Sequence, residues 1–138
     1  LIEINLQSFV PELIQGVLRS YSYSHVQPNY HLDHIWLHVD QAVPLGLILN
    51  ELVTNSCKHA FPFQPDPFLE VTCRQIDSTV IVELRDNGPG FTPEKNDKTF
   101  GLKLIQAFAQ RLNGEIHRAP GRKAFRLSFP IYISQPVH

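Results

Sequence analysis

Two β-rich runs, Phe68 to Ile76 and Thr79 to Arg85, are separated by Asp77-Ser78 alone, and no other feature of this sequence limits its fold as tightly. A two-residue connection is most simply a hairpin between antiparallel neighbours, because a parallel crossover needs about a dozen residues. In the second run Val80, Val82 and Leu84 share one parity, whereas Ile81, Glu83 and Arg85 take the other. The hairpin therefore has an apolar face that helices can cover. From Ser8 to Tyr21, Phe9, Val10, Leu13, Ile14, Val17, Leu18 and Tyr21 recur at helical spacing behind Ser8 as the expected cap. Ile2, Ile4 and Leu6 alternate before it as a short strand, and Tyr30 to Val39 reads as one bent strand or two short ones.

A second helix is expected from Gln41 to Ala60, capped by Asp40, with Pro44 tolerated in its first turn. The proline-rich stretch Phe61 to Pro67 ends it. Leu102, Ile105, Phe108, Ala109 and Leu112 mark a third helix that stops at Asn113-Gly114. The chain closes with a hairpin, Glu115 to Arg118 and Lys123 to Ile131, whose Phe125, Leu127, Phe129 and Ile131 lie on one face. Three helices on one face of a single, mostly antiparallel sheet make an α/β two-layer sandwich, one domain over residues 1–138.

A net charge of -1 removes a generally basic, nucleic-acid-coating protein, and 43% apolar with 18% charged residues excludes a disordered chain. No apolar run reaches the roughly 18 residues of a membrane span, and the opening Leu-Ile-Glu-Ile-Asn lacks the basic and apolar regions of a signal peptide. Cys57 and Cys73 sit inside apolar patterns without a disulfide framework, the usage of a reducing cytosol. A chain that starts at Leu1 and contains no Met reads as a piece of a longer protein, whose anchoring in a membrane stays open.

On the second helix Glu51, Asn55 and Lys58 fall within about 60° of one another at 100° per residue, with His59 at the margin. Leu45, Leu49, Leu52, Val53, Ser56 and Ala60 form the opposite, packing face. The polar stripe reads either as a solvated face or as a site. An Asn in mid-helix lowers helix propensity, which favours the second reading. A carboxylate, a carboxamide oxygen, an ammonium and an imidazole together suit a phosphate and its magnesium.

Asp86 shares the parity of Val80, Val82 and Leu84, so an unbroken pleat points it at the helix layer. A carboxylate there needs donors, and adenine's exocyclic amine is one. The alternative is an Asp that merely starts the turn Asp86-Asn87-Gly88-Pro89-Gly90, in which Gly88 and Gly90 allow positive φ or close approach to a ring. Gly101, in Phe100-Gly101-Leu102-Lys103-Leu104, opens the third helix, where free amides can meet a phosphate.

Taken in order, Asn50-Glu51-Leu52-Val53-Thr54-Asn55-Ser56-Cys57-Lys58-His59-Ala60-Phe61-Pro62, Asp86-Asn87-Gly88-Pro89-Gly90-Phe91 and Phe100-Gly101-Leu102-Lys103-Leu104-Ile105 resemble the asparagine box and two glycine boxes of the ATP-binding catalytic domain of sensor histidine kinases, in the superfamily shared with gyrase, the heat-shock chaperone ATPase and MutL. The wording is most similar to the bacterial subgroup with short lids. The resemblance implies a Bergerat-type fold and ATP with Mg2+ as ligands. By it Asn55 binds the metal, Asp86 binds adenine, and Gly88 and Gly90 shape the adenine pocket. Gly101 and Leu102 meet the phosphates, Lys58 and His59 stand beside the phosphates and nucleoside, and 91–99 form a lid; a separate aromatic box is not evident there, unless Phe91 or Phe100 serves as one. The second glycine box lacks a preceding Gly-x-Gly, since Asp97-Lys98-Thr99-Phe100 stands there, and Lys123-Ala124 replaces a Gly-Thr on the last strand.

None of the seven histidines is followed by Asp or Glu, the mark of the family's phosphoacceptor. The acceptor is then expected on a helical hairpin before Leu1, in a homodimeric parent that passes phosphate to a response regulator, with no nucleic-acid partner. His31 faces away from His34 and His38 in a continuous strand, which argues against zinc. Three functions stay open: transfer of the γ-phosphoryl to that histidine with Glu51 orienting or deprotonating it and Lys58 neutralising charge; ATP hydrolysis with the same Glu; and a nucleotide-binding or docking module without transfer.

Overall fold

The computed structural model describes residues 2–88, 99–118 and 124–132. Ten regular elements follow in order: β1 (Glu3–Asn5), α1 (Leu6–Ser20), β2 (Asn29–Leu32), β3 (Trp36–His38), α2 (Val39–Asn55), β4 (Leu69–Ile76), β5 (Thr79–Asp86), α3 (Thr99–Arg111), β6 (Glu115–Arg118) and β7 (Ala124–Pro130). A π turn, Ser56–Ala60, and a 3-10 turn, Phe61–Phe63, continue α2.

The central hairpin forms as expected, with Ile76 opposite Thr79 and Asp77 at φ 54°. Five strands run in the order β2-β4-β5-β7-β6, and β2 lies parallel to β4 while the other pairs are antiparallel. The expected single sheet is in fact two. The segment from Tyr30 to Val39 splits, and β3 leaves the main sheet to pair with β1. Val71, Cys73, Val80, Val82, Leu84, Leu127 and Phe129 make the sheet's buried side of the core.

Helix α2 lies centrally and buries residues around most of its circumference, from Ala42 and Leu45 to Ile48, Leu49, Leu52 and Val53. Helices α1 and α3 both pack against it. Gly46 permits the first of these packings: a Cβ there would come within 2.8 Å of Phe9 Cζ and 3.1 Å of Leu13 Cδ1.

Both expected caps move. The Asn5 side chain accepts from the Gln7 N–H at 3.0 Å and starts α1, so Ser8 falls inside the helix and Leu6 is its first residue. His38 Nδ1 accepts from the Asp40 N–H at 3.1 Å and caps α2. Asp40 instead enters the first turn, where a carboxylate meets the positive end of the helix dipole. Pro44 consequently sits in the second turn, two residues deeper than expected.

Helix α3 ends where the sequence places its stop, but Asn113 rather than Gly114 takes the left-handed conformation, at φ 53°. The Gly114 N–H donates to the Ala109 carbonyl at 2.8 Å and the Asn113 N–H to Gln110 at 3.0 Å, the paired bonds of a Schellman stop. Gly114 is needed for space, since a Cβ would lie 2.7 Å from the Ser128 carbonyl oxygen. No helix among the described residues is long and apolar enough to cross a membrane.

Candidate active site

The three motif segments meet at the C-terminal end of α2. Strand β5 keeps its pleat to the last residue, and Asp86 turns toward the helix layer as its parity requires. Its Oδ2 accepts from Ser56 Oγ at 2.6 Å, and its Oδ1 accepts from the Gly88 N–H at 2.9 Å. The second bond is an Asx turn, so the same carboxylate both starts the turn and faces the site. Donors for the half-buried carboxylate are thus present in the protein itself, and Ser56 is one that helical periodicity had placed on the packing face.

Gly88 packs on Ala60. A Cβ built on it would overlap the Ala60 Cβ and lie 2.7 Å from the Ala60 Cα. Its φ is outside the left-handed region, so the position calls for a small residue and not for positive φ. Gly101, the third residue of α3, lies directly on Glu51; a Cβ there would overlap Glu51 Oε1 and sit 3.1 Å from its Cδ. Two glycines therefore close two walls onto the helix that carries the asparagine motif.

The end of α2 departs from a uniform helix. At Ser56 the turn widens, and the Phe61 N–H donates to the Ser56 carbonyl in π geometry. Such widened turns recur at functional sites because they re-aim side chains. Glu51 and Asn55 lie one α turn apart, both half-exposed, before the change; Lys58 and His59 follow it and are exposed. Lys58 Nζ stands 5.8 Å from the centroid of the Tyr21 ring at the end of α1, on a different neighbour from the one Glu51 meets. No hydrogen bond or ion pair among the described residues engages the side chains of Asn55, Lys58 or His59. Leu102 is half-buried on α3. Gly90 and Phe91 lie outside the described residues, as do the side chain of Phe100 and the expected lid apart from Thr99, which opens α3.

Asn87 secures the turn from below: its Oδ1 accepts from the Phe68 N–H at 3.1 Å and its Nδ2 donates to the Asp66 carbonyl at 2.9 Å. Phe61 is fully buried and meets the Tyr23 ring edge-on at 5.1 Å between centroids. Beside Ser56, burial pushes the Cys57 thiol up to about 11; burial and the charge of Asp33 push Cys73 up to about 12. Both cysteines are free and buried. The three nearby histidines of the sequence separate: His31 pairs with Glu70 at 3.3 Å, and His38 caps α2.

This arrangement, with an asparagine-bearing helix end meeting an Asp-x-Gly turn and, through Gly101, the first turn of α3 rather than its opening residue, coincides with a family match. The model of histidine kinase-, DNA gyrase B- and HSP90-like ATPases matches residues 40–133. The chain belongs to this family.

Other similarities agree with it. Blue-light-activated histidine kinase 2 of Erythrobacter litoralis is 22% identical over 114 residues, covering 80% of this chain, and the chain spans about a third (33%) of that relative's length. Among solved structures, the histidine kinase domain of the Erythrobacter litoralis EL346 blue-light-activated kinase superposes with a TM-score of 0.81 at 18% identity, covering 93% of this chain and 62% of that one. The Acinetobacter baumannii histidine kinase AdeS gives 0.77 at 15% identity, covering 94% and 66%. The catalytic domain of histidine kinase ThkA gives 0.71 at 17% identity, covering 94% of this chain and 96% of that one. The histidine-kinase-like ATPase fold expected from the motifs is therefore the fold of this chain, two sheets notwithstanding.

Proposed function

We propose that this chain is the ATP-binding catalytic domain of a longer histidine kinase, and that it transfers the γ-phosphoryl of Mg-ATP to a histidine on a separate helical hairpin. The observation that carries the proposal is the convergence of Asp86 on Ser56, Gly88 on Ala60 and Gly101 on Glu51 around one helix end. Three segments gathered at one helix end are what binding of a single nucleotide needs; three motifs at unrelated corners would have refuted the proposal.

In this reading Asp86 accepts the exocyclic amine of adenine, and Gly88, packed on Ala60, shapes the adenine pocket together with Gly90. Gly101 and Leu102 bring the first-turn amides of α3 to the phosphates. Magnesium, when bound, would neutralise phosphate charge and align the transferring group. The donors present fit it: Asn55 offers a half-exposed carboxamide oxygen with no other partner among the described residues, one turn from Glu51. Magnesium takes most of its ligands from water and phosphate, so one such oxygen suffices. Lys58 and His59 sit on the π turn where a nucleotide would pass, and Lys58 has to leave the Tyr21 ring to reach it.

Transfer forms a bond between an imidazole nitrogen and the γ-phosphorus as the bond to the β-phosphate oxygen breaks and ADP departs. Glu51 accepts the imidazole proton or orients the ring. Its place against Gly101 puts this carboxylate beside the amides of α3 that would hold the phosphate. The acceptor hairpin, a dimeric parent and a downstream response regulator belong to the same proposal.

Titration calorimetry with ATP, ADP and GTP, with and without magnesium, tests it. Adenine nucleotides are expected to bind more tightly than GTP; Asp86→Asn weakens binding, and Asn55→Ala abolishes the magnesium effect. Equal binding of GTP refutes the assignment of Asp86. Acid-labile phosphate on the hairpin of the longer protein, lost in Glu51→Ala, separates transfer from simple nucleotide binding.

A further inference from the structure

Two polar side chains are buried among the described residues, Gln41 and Ser56. Gln41 ties α2 to the end of the last strand, whereas Ser56, 2% exposed, faces the candidate base-binding carboxylate. Its hydroxyl has one proton and two acceptors in reach, the Leu52 carbonyl at 3.3 Å and Asp86 Oδ2 at 2.6 Å. The shorter, charge-assisted bond takes the proton. With the Gly88 N–H on Oδ1, the carboxylate is held at both oxygens. Its plane cannot turn about the Cβ–Cγ bond without breaking one of them.

We infer that Ser56 is a positioning residue that sets the base selectivity of the site by fixing the plane of Asp86. The inference rests on the reading of Asp86 as the acceptor for adenine. A carboxylate free to turn can present both oxygens as a fork to two adjacent N–H donors, the pattern that guanine displays with its ring N–H and exocyclic amine. Held by Ser56 and Gly88, Asp86 instead offers a lone pair in a set direction, which serves the single exocyclic amine of adenine. Ser56 keeps α geometry at the first position of the π turn, and its hydroxyl, on the buried face of the helix, meets the end of β5.

The test compares ADP and GDP binding by calorimetry for the whole chain, Ser56→Ala, Asp86→Ala and the double variant, with melting curves alongside. Ser56→Ala is expected to weaken ADP about tenfold, because a carboxylate no longer held at both oxygens has to be ordered as the base binds, and to leave GDP unchanged or tighter. The preference for ADP over GDP thus falls by about tenfold or more. In the Asp86→Ala background the same change leaves that preference alone, since Ser56 acts through the carboxylate. A merely structural serine would lower both affinities by one factor together with the melting temperature, which would overturn the inference. If Asp86→Ala weakens ADP but Ser56→Ala keeps the preference intact, the role of Ser56 fails alone. If Asp86→Ala changes neither nucleotide, the adenine assignment fails and takes the role of Ser56 with it.

Discussion

Alanine at Gly88 is the perturbation that strikes the junction of two motifs at one atom. The added Cβ would overlap the Ala60 Cβ, lie 2.7 Å from the Ala60 Cα and stand 3.2 Å from Asp86 Oδ1. Carbon pairs settle at about 3.5–4.0 Å, so the clash with the Ala60 backbone alone requires the end of β5 and the π turn to part by about 1 Å. Neither side can yield cheaply. Ala60 is 6% exposed, has no rotamer to change and belongs to the turn that carries Ser56. Overpacking of this sort costs about 1–3 kcal/mol. In a chain of this size that lowers the melting temperature by roughly 3–10 °C. The same displacement stretches the 2.6 Å bond from Ser56 to Asp86 beyond hydrogen-bonding reach. Its loss forfeits about 1.5–3 kcal/mol of charge-assisted bonding within the protein and releases a carboxylate that ADP must then order, read as weaker ADP affinity. Thermal melting and calorimetry with ADP, run on Gly88→Ala and on the Gly88→Ala/Ala60→Gly pair, check both effects. The pair should recover part of each, because one of the overlapping methyl groups is gone while the crowding against the backbone of residue 60 persists. Parental melting within about a degree, with unchanged ADP binding, would refute the packing argument.

Gln41 Nε2 donates to the Pro130 carbonyl at 2.8 Å and its Oε1 accepts from the Tyr132 N–H at 3.0 Å in a fully buried position. Gln41→Leu should therefore destabilise by about 1–3 kcal/mol, visible in urea unfolding, since it leaves two backbone groups unpaired. Gly114→Ala drives a methyl to 2.7 Å from the Ser128 carbonyl and 3.0 Å from Phe129 Cβ, and should cost about 1–3 kcal/mol without altering ADP affinity. The thiols make stability fall at high pH. Cys57 and Cys73 move from the ordinary value of 9.0 up to about 11 and about 12 in the folded chain, chiefly through burial. Below pH 9 both states hold the proton and nothing is lost; from there toward pH 12 the unfolded chain releases protons that the folded chain keeps, and stability declines. Urea midpoints compared between about pH 8 and pH 10.5 should drop more for the parent than for Cys57→Ala/Cys73→Ala.

Much of this architecture was legible because it depends on local periodicity. The two-residue connection at Asp77-Ser78 determined a hairpin, the parity of Val80, Val82 and Leu84 determined which way Asp86 points, and the run from Leu102 to Leu112 determined α3. These inferences held because a pleat or a helical repeat relates residues only a few positions apart, and burial of one face rewards the same repeat in the folded chain. Cap positions were less legible. Asn5 competes with Ser8 on nearly equal terms locally, whereas His38 caps in place of the locally favoured Asp40; both caps follow directly on the paired strands β1 and β3.

The order of the three motifs, and the family they belong to, are properties of the sequence alone: they are strings of residue types that need no coordinates. What tertiary structure alone decided is their meeting. Ser56 lies 30 residues from Asp86, Ala60 lies 28 from Gly88, and Gly101 lies 50 from Glu51, distances over which no helical or strand period carries information. These approaches exist because α2 packs centrally against the sheet and α3, so that a strand end and a helix start both reach its last turns. The residue types set the chemistry of each segment, and the packing of the core brings the three segments onto one helix.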